Sequence, residues 1–243
     1  MKQKQIQTNF QRVETKYILD RATLARLEAE MHAYLIPDDY ATSTISNVYF
    51  DNDDFQMIQD SIARRGGREK LRMRTYAAEP TKDSQVFLEI KKKSEDVGFK
   101  YRLASNPTSV VNYIEKGLAD QTISDERVKT EVELLQERYA GLKPKMVISY
   151  DRYSMKGLED KKVRVTVDSN IRFRDYDVDL TSGRHGYPLL EDDMMIMEIK
   201  VPGEYPQWMS EILNKYGLED QSFSKYGKAY LKSKELIPQA AKV

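Results

Sequence analysis

"REKLRMRTY", residues 68–76, decides how the chain is read. Over 69–76 every second residue is large and polar (Lys70, Arg72, Arg74, Tyr76), with Leu71 and Met73 between them. A two-residue period belongs to a β-strand with one charged and one apolar face. An ordinary half-buried strand turns its charges to water. The question is whether Arg72 and Arg74 do the same or face inward toward something that needs them.

Other segments repeat the pattern. Arg12, Glu14 and Lys16 alternate with Val13, Thr15 and Tyr17; Glu89, Lys91 and Lys93 with Leu88 and Ile90; Arg164, Thr166 and Asp168 with Val163, Val165 and Val167; Glu198 and Lys200 with Met197, Ile199 and Val201. Less regular strands are expected at Ser46–Phe50, Phe99–Ala104, Met146–Tyr153 and Ile171–Asp175, which makes about eight or nine in all. Between them lie amphipathic helices with start signals. Asp20 precedes the stripe Leu24, Leu27, Met31, Leu35, and Asp53 or Asp54 precedes Phe55, Ile58, Ile62. Asn106-Pro107 precedes Val110, Val111, Ile114 and Leu118, and Ser124 or Asp125 precedes Val128, Val132, Leu135 and Tyr139. Pro206 opens a fifth helix, and a last one starts near Ser224 and runs toward a flexible tail at Ala240–Val243. Residues 176–193 read as a long loop. The glycines of "RRGGREK" read as a hairpin turn, not a Walker A loop.

The helices' apolar stripes must cover something, and the matching surface is the apolar face of the strands. The charged face is then the other one, and an antiparallel sheet of this size can close on itself. The expected fold is therefore α+β: a closed antiparallel β-barrel forming a basic tunnel, helices outside, as one domain over residues 1–243. The lumen would collect Arg12, Lys16, Lys70, Arg72, Arg74, Lys91, Lys93, Lys100, Arg102, Arg152, Arg164, Lys200 and Lys225 against Glu14, Glu89, Asp168 and Glu198. Two like charges about 6 Å apart repel by roughly 3 kcal/mol at an effective dielectric of about 20, so such a lumen favours a polyanion. The alternative is an open sheet whose charged face meets water.

Composition narrows the chemistry. Lys+Arg and Asp+Glu are 39 each, so any basic site is made by segregation and no global charge points to nucleic acid or membrane. There is no cysteine and only two histidines, His32 and His185, which makes thiol, zinc or histidine-triad chemistry improbable. No signal sequence or membrane-spanning run is read in the 243 residues, so a cytoplasmic location is expected. Arginine forks and lysine points grip phosphate oxygens. Carboxylates among them are candidate ligands for Mn²⁺ or Mg²⁺, Glu198 first, then Glu14, with Asp168 and Glu89 behind; the alternative for each is an internal salt bridge.

The pieces "RVETKYIL", "SNVYFD", "KLRMRTY", "FLEIKKK", "FKYRLA", "VISYDRYS", "VRVTVDSNIRF", "MEIKV" and "FSKYGKAY", in this order, resemble the catalytic domain of the vacuolar transporter chaperone (VTC) polyphosphate polymerases, in the triphosphate tunnel metalloenzyme superfamily. The resemblance implies a basic-tunnel barrel. In it Lys16, Arg72, Arg74, Lys91, Lys100, Arg152 and Arg164 match residues that hold a nucleoside triphosphate or a phosphate chain, and Glu198 matches the metal carboxylate. Ser224 and Lys225 match residues closing on the phosphates, and Tyr150 a phosphate-contacting position. Arg12, Arg102 and Lys200 join the substrate-binding set as lumen cations. Where the superfamily carries Glu-x-Glu-x-Lys, this chain reads Arg12-Val13-Glu14-Thr15-Lys16. The exchange of one metal ligand for a cation favours the polymerase branch.

The implied activity is transfer of the terminal phosphoryl group of ATP to polyphosphate. A tri- or polyphosphatase, or a non-catalytic polyphosphate-binding module, would use the same side chains. The implied partners are a nucleoside triphosphate, polyphosphate and a membrane protein for product export. The eukaryotic complexes also carry an inositol-phosphate-sensing domain and membrane helices, neither of which is expected in these residues.

Overall fold

The computed structural model describes residues 12–94 and 97–236. The expected tail at Ala240–Val243 lies outside them, and so does the side chain of Arg12, whose backbone opens the first strand. In chain order the elements are β1 (Arg12–Asp20), α1 (Arg21–Met31), β2 (Leu35–Asp51), α2 (Gln56–Ala63), β3 (Arg68–Thr75), β4 (Val86–Ser94), β5 (Val97–Ser105), α3 (Pro107–Lys116), α4 (Glu126–Arg138), β6 (Lys143–Gly157), β7 (Arg164–Arg174), β8 (Tyr187–Pro188), β9 (Met194–Pro202), α5 (Gln207–Lys215) and α6 (Lys225–Leu236). No described helix is long and apolar enough to cross a membrane.

Helix starts follow the caps. The Asp20 carboxylate accepts from Thr23 N–H at 2.8 Å, the Asn106 amide oxygen from Ser109 N–H at 2.9 Å, and Asp125 from Arg127 N–H at 2.9 Å. The second helix departs from expectation. Asp51 accepts from the N–H groups of Met57 and Ile58 at 2.9 and 3.0 Å, and Asn52 from Gln56 at 2.9 Å, so Asp53 and Asp54 are not its caps. Phe55, at φ 57°, turns the chain back over the end of β2 and brings those acceptors within reach. Gly66 and Gly67, at φ 66° and 102°, link α2 to β3 rather than closing a hairpin. Leu35, expected in the first helix's stripe, begins β2. The two short strands read around residue 170 are one strand, β7, with Asn170 at φ 50° inside it.

The strands form one antiparallel sheet in the order β1-β9-β7-β6-β2-β3-β4-β5, with β8 on β7. The expected closed barrel is not formed: β1 and β5 end the order without pairing to each other. The edge strand β5 is exposed over Val97–Lys100 and carries Lys100 and Arg102, the kind of charged side chain that discourages further pairing.

The chain divides into two compact units. The first comprises Met1–Ser43, Asp151–Ser169 and Leu190–Phe223; the second comprises Thr44–Tyr150, Asn170–Leu189 and Ser224–Val243. Each has its own apolar core. In the first, Leu24, Leu27 and Met31 of α1 and Met209, Ile212 and Leu213 of α5 cluster with Val165, Val167, Met197 and Ile199. In the second, Val110 and Ile114 of α3 and Val128, Val132 and Leu135 of α4 cluster with Val48, Phe50, Leu71, Met73, Leu88 and Ile90. Leu71 and Met73 are thus the packed side of β3, as the alternation predicts.

Candidate functional site

In the second unit, register sets the polar side chains in rows, because residues directly opposite on neighbouring strands share a face. Asn47, Arg74, Phe87 and Ala104 make one row; Tyr49, Arg72, Glu89 and Arg102 the next; Lys70, Lys91 and Lys100 a third. Arg72 and Arg74 are only 8% and 7% exposed, so β3 is buried on both faces and the arginines do not face water.

Glu89 is the centre of this arrangement. Arg72 donates through Nε and Nη2 to its Oε2 at 2.9 and 2.6 Å, and Lys100 and Arg102 reach Oε1 at 2.7 and 3.3 Å. Burial alone would raise the Glu89 pKa; the charges of Arg72, Arg74 and Lys100 outweigh it and bring it down to about 2. Arg74 is aimed by Asn47, whose Oδ1 accepts from its Nε at 2.7 Å, and by the Tyr150 hydroxyl, which accepts from Nη2 at 3.0 Å. The Tyr49 hydroxyl accepts from Arg72 Nη1 at 3.1 Å. Burial would raise that phenol too, yet Arg72, Lys70 and Arg74 bring it down to about 8.

The last helix packs on this polar side, contrary to the expectation that every helix covers the apolar face. Tyr226 of α6 stacks on Tyr49 with ring centroids 4.4 Å apart and donates its hydroxyl to Asp51 at 3.0 Å. A polar face carrying two tyrosines and a carboxylate offers a helix partners that an all-cationic face would not. Ser224 caps α6 by accepting from Gly227 N–H at 3.1 Å, and it also accepts from Lys70 Nζ at 2.7 Å. Lys225 lies over the Tyr150 ring, 4.8 Å from its centroid. Lys91 is exposed in its row, and Lys93 lies one row beyond, opposite Arg68.

The first unit has a polar face of a different kind. Glu14, Lys200 and Arg164 form one row and Lys16, Glu198 and Thr166 the next. Lys16 lies 3.3 Å from Glu14 and 3.9 Å from Glu198, while Lys200 contacts Glu198 and lies 4.0 Å from Glu14. Burial would raise Glu198; Lys200, Lys16 and Arg152 outweigh it and bring it down to about 2. Arg152 forks onto Asp168 with Nε and Nη2 at 2.6 and 2.7 Å, and Arg164 donates to Asp38 at 2.6 Å.

Whether these residues fit a divalent ion is decided by the donors. No group of three His, Cys, Asp or Glu placed to share a metal occurs among the described residues. Mn²⁺ and Mg²⁺ bound beside phosphate need only one or two carboxylates, with water and phosphate oxygens completing the shell. Glu198, ionised and with Glu14 as its neighbour across two shared lysines, fits that requirement. Thr166 Oγ1, directly opposite Glu198, is buried without a hydrogen-bond partner. Asp168 and Glu89 are each engaged by an arginine fork, the salt-bridge alternative.

Several contributors escaped the sequence reading: Asn47, Tyr49 and Asp51, which aim or contact the cations and α6, and Asp38, which neutralises Arg164. The first three were visible as an alternation in "SNVYFD", where Val48 and Phe50 separate them. Asp38 sits in an irregular polar stretch with no period to mark it.

A protein described as an adenylate cyclase candidate from Bacillus halodurans shares the α+β fold, with a TM-score of 0.55 at 16% identity, covering 87% of this chain and 92% of that one. Two curated proteins, each named vacuolar transporter chaperone complex subunit 4, are similar in sequence. That of Schizosaccharomyces pombe is 26% identical over 90% of this chain, and that of Trypanosoma brucei brucei 27% identical over 76%. The matches span 37% and 28% of those proteins, so the chain corresponds to about a third of their length. The VTC domain family model matches residues 11–234, nearly the whole sequence, and the chain belongs to the VTC domain family.

Proposed function

We propose that the chain is a metal-dependent polyphosphate polymerase that passes the terminal phosphoryl group of ATP to a polyphosphate chain. The observation that carries this reading is the convergence of Arg72, Lys100 and Arg102 on the buried Glu89, with Arg74 in the row on one side and Lys70 and Lys91 in the row on the other. The three converging cations carry more positive charge than the one carboxylate of Glu89 offsets, and the phosphates of a bound chain would answer the difference. Lys225 and Ser224, at the start of α6, would add to the same grip, and Tyr150 would keep Arg74 in place.

In the first unit Glu198 and Glu14 would hold Mn²⁺ or Mg²⁺, with Lys16, Lys200, Arg152 and Arg164 supplying charge around them. The ion, when bound, supplies charge stabilisation to phosphoryl oxygens. Phosphoryl transfer asks little covalent chemistry of a protein: the side chains hold the phosphates, offset their charge and keep attacking and leaving oxygens in line. Membership of the VTC domain family and likeness to subunits of a chaperone complex support the reading and suggest that the chain works with partner subunits, including a membrane protein that moves the product.

The test is to incubate the purified protein with ATP and Mn²⁺ or Mg²⁺ and follow long-chain polyphosphate and free phosphate separately. Long chains support the polymerase. Free phosphate alone would replace it with a triphosphatase, and neither product, with polyphosphate still retained, would reduce it to a binding module.

A further inference from the structure

We infer that Phe87, Arg102 and Tyr76 form a stacking platform for the nucleobase of the phosphoryl donor, an assignment that rests on the triphosphate reading above. Phe87 is the odd member of its face: an aromatic ring directly opposite Arg74, where a further cation would serve phosphate better. Its ring is covered by the Arg102 guanidinium, whose central carbon lies 3.6 Å from the ring centroid. Arg102 is also tied by Nε to Glu89 Oε1 at 3.3 Å, and its side chain is 38% exposed. The guanidinium is thus backed by an aromatic ring, pinned at one nitrogen and partly exposed.

Tyr76 borders the platform. It is 44% exposed, its ring meets Phe87 edge-on at 6.0 Å and 69°, and the Arg102 guanidinium lies 5.9 Å from it. Opposite Phe87 on the other side stands Ala104, exposed and too small to fill the space above the shelf. A planar cation stacked on an aromatic ring offers its second face to another π system, and bases unstacked from a duplex are held on such arginine planes and aromatic rings.

The placement matches the shape of the ligand. Successive rows are two residues apart along the strands, so the aromatic row lies about 13 Å from the lysine row, with Arg72 and Arg102 between. That is the order of reach of a triphosphate with its ribose: phosphates on the lysine and arginine rows, base on the aromatic one. Stacking uses a base's π face, which every base has, so the platform would hold adenine and guanine nucleotides alike.

The experiment compares binding of ATP, GTP and inorganic tripolyphosphate by calorimetry for the wild type, Phe87→Leu and Tyr76→Leu. The expected result is that Phe87→Leu weakens ATP and GTP about tenfold and Tyr76→Leu about threefold, with tripolyphosphate unchanged in both. Unchanged ATP affinity in both variants, or equal losses for ATP and tripolyphosphate, would overturn the platform while leaving the phosphate site standing. Tyr76→Leu alters an exposed side chain, so the comparison survives if Phe87→Leu fails to fold. A wild type that binds tripolyphosphate but neither nucleotide would refute the platform alone; one that binds none of the three would refute the triphosphate reading and the platform with it.

Discussion

In the first unit four cations, Lys16, Arg152, Arg164 and Lys200, meet four carboxylates, Glu14, Asp38, Asp168 and Glu198; in the second, three cations, Arg72, Lys100 and Arg102, converge on the one carboxylate of Glu89. Both faces are built by the same alternation on antiparallel strands, so the difference lies in what each face still lacks. A balanced face is complete without a ligand and can lend a carboxylate to a metal. A face with a surplus of cations keeps its repulsion until an anion arrives. The second unit is therefore where phosphate affinity should reside, and the first where charge is arranged with little net attraction.

The largest effect expected from breaking this contrast comes from Arg72→Ala. Removing one partner of a buried pair leaves the other charge uncompensated, at a cost of about 3–5 kcal/mol. Urea unfolding should show a loss of that order, moderated by the Lys100 and Arg102 contacts to Glu89, and partly recovered in the double variant Arg72→Ala/Glu89→Gln. Full stability in Arg72→Ala would mean that Glu89 does not need its arginine fork.

Acid should act on the same centre. The Glu89 pKa in the fold, about 2, lies below its ordinary value of 4.5. Its ionisation therefore stabilises the fold fully above pH 4.5, and the contribution, about 3 kcal/mol at most, is lost as pH falls from there toward 2. Glu89→Gln should flatten the acid limb of a stability profile over that window; an unaltered limb would place the acid sensitivity elsewhere.

The smallest effect sharpens the comparison most directly. Lys100→Ala removes a partly exposed cation from the surplus face and should weaken tripolyphosphate binding about tenfold. Arg164→Ala removes a cation already matched by Asp38 and should weaken it less, by about twofold. Equal losses, read by calorimetry at fixed salt, would show that the two faces do not differ in phosphate affinity.

Much of this was legible in the sequence where a period or a cap carried it. The alternation in 69–76 set Leu71 and Met73 apart from Arg72 and Arg74, and Asp20, Asn106 and Asp125 began their helices, because these signals act over two to four residues. The start of α2 was misplaced because its acceptors, Asp51 and Asn52, belong to the preceding strand and reach the helix only through the left-handed turn at Phe55. The lumen tally overstated the positive charge of the first unit because Asp38 lies 126 residues from Arg164 and no periodic signal joins them.

What the sequence by itself determined was the two-faced strand: side chains alternate by covalent geometry, so the partition into charged and apolar faces follows from order alone. Only the tertiary structure decided which strands end the sheet, that the sheet stays open, that α6 lies on the polar side through Tyr226, and which acids answer which cations. Those outcomes depend on pairings between residues far apart in the chain, and such pairings are settled by packing and charge compensation among whole elements.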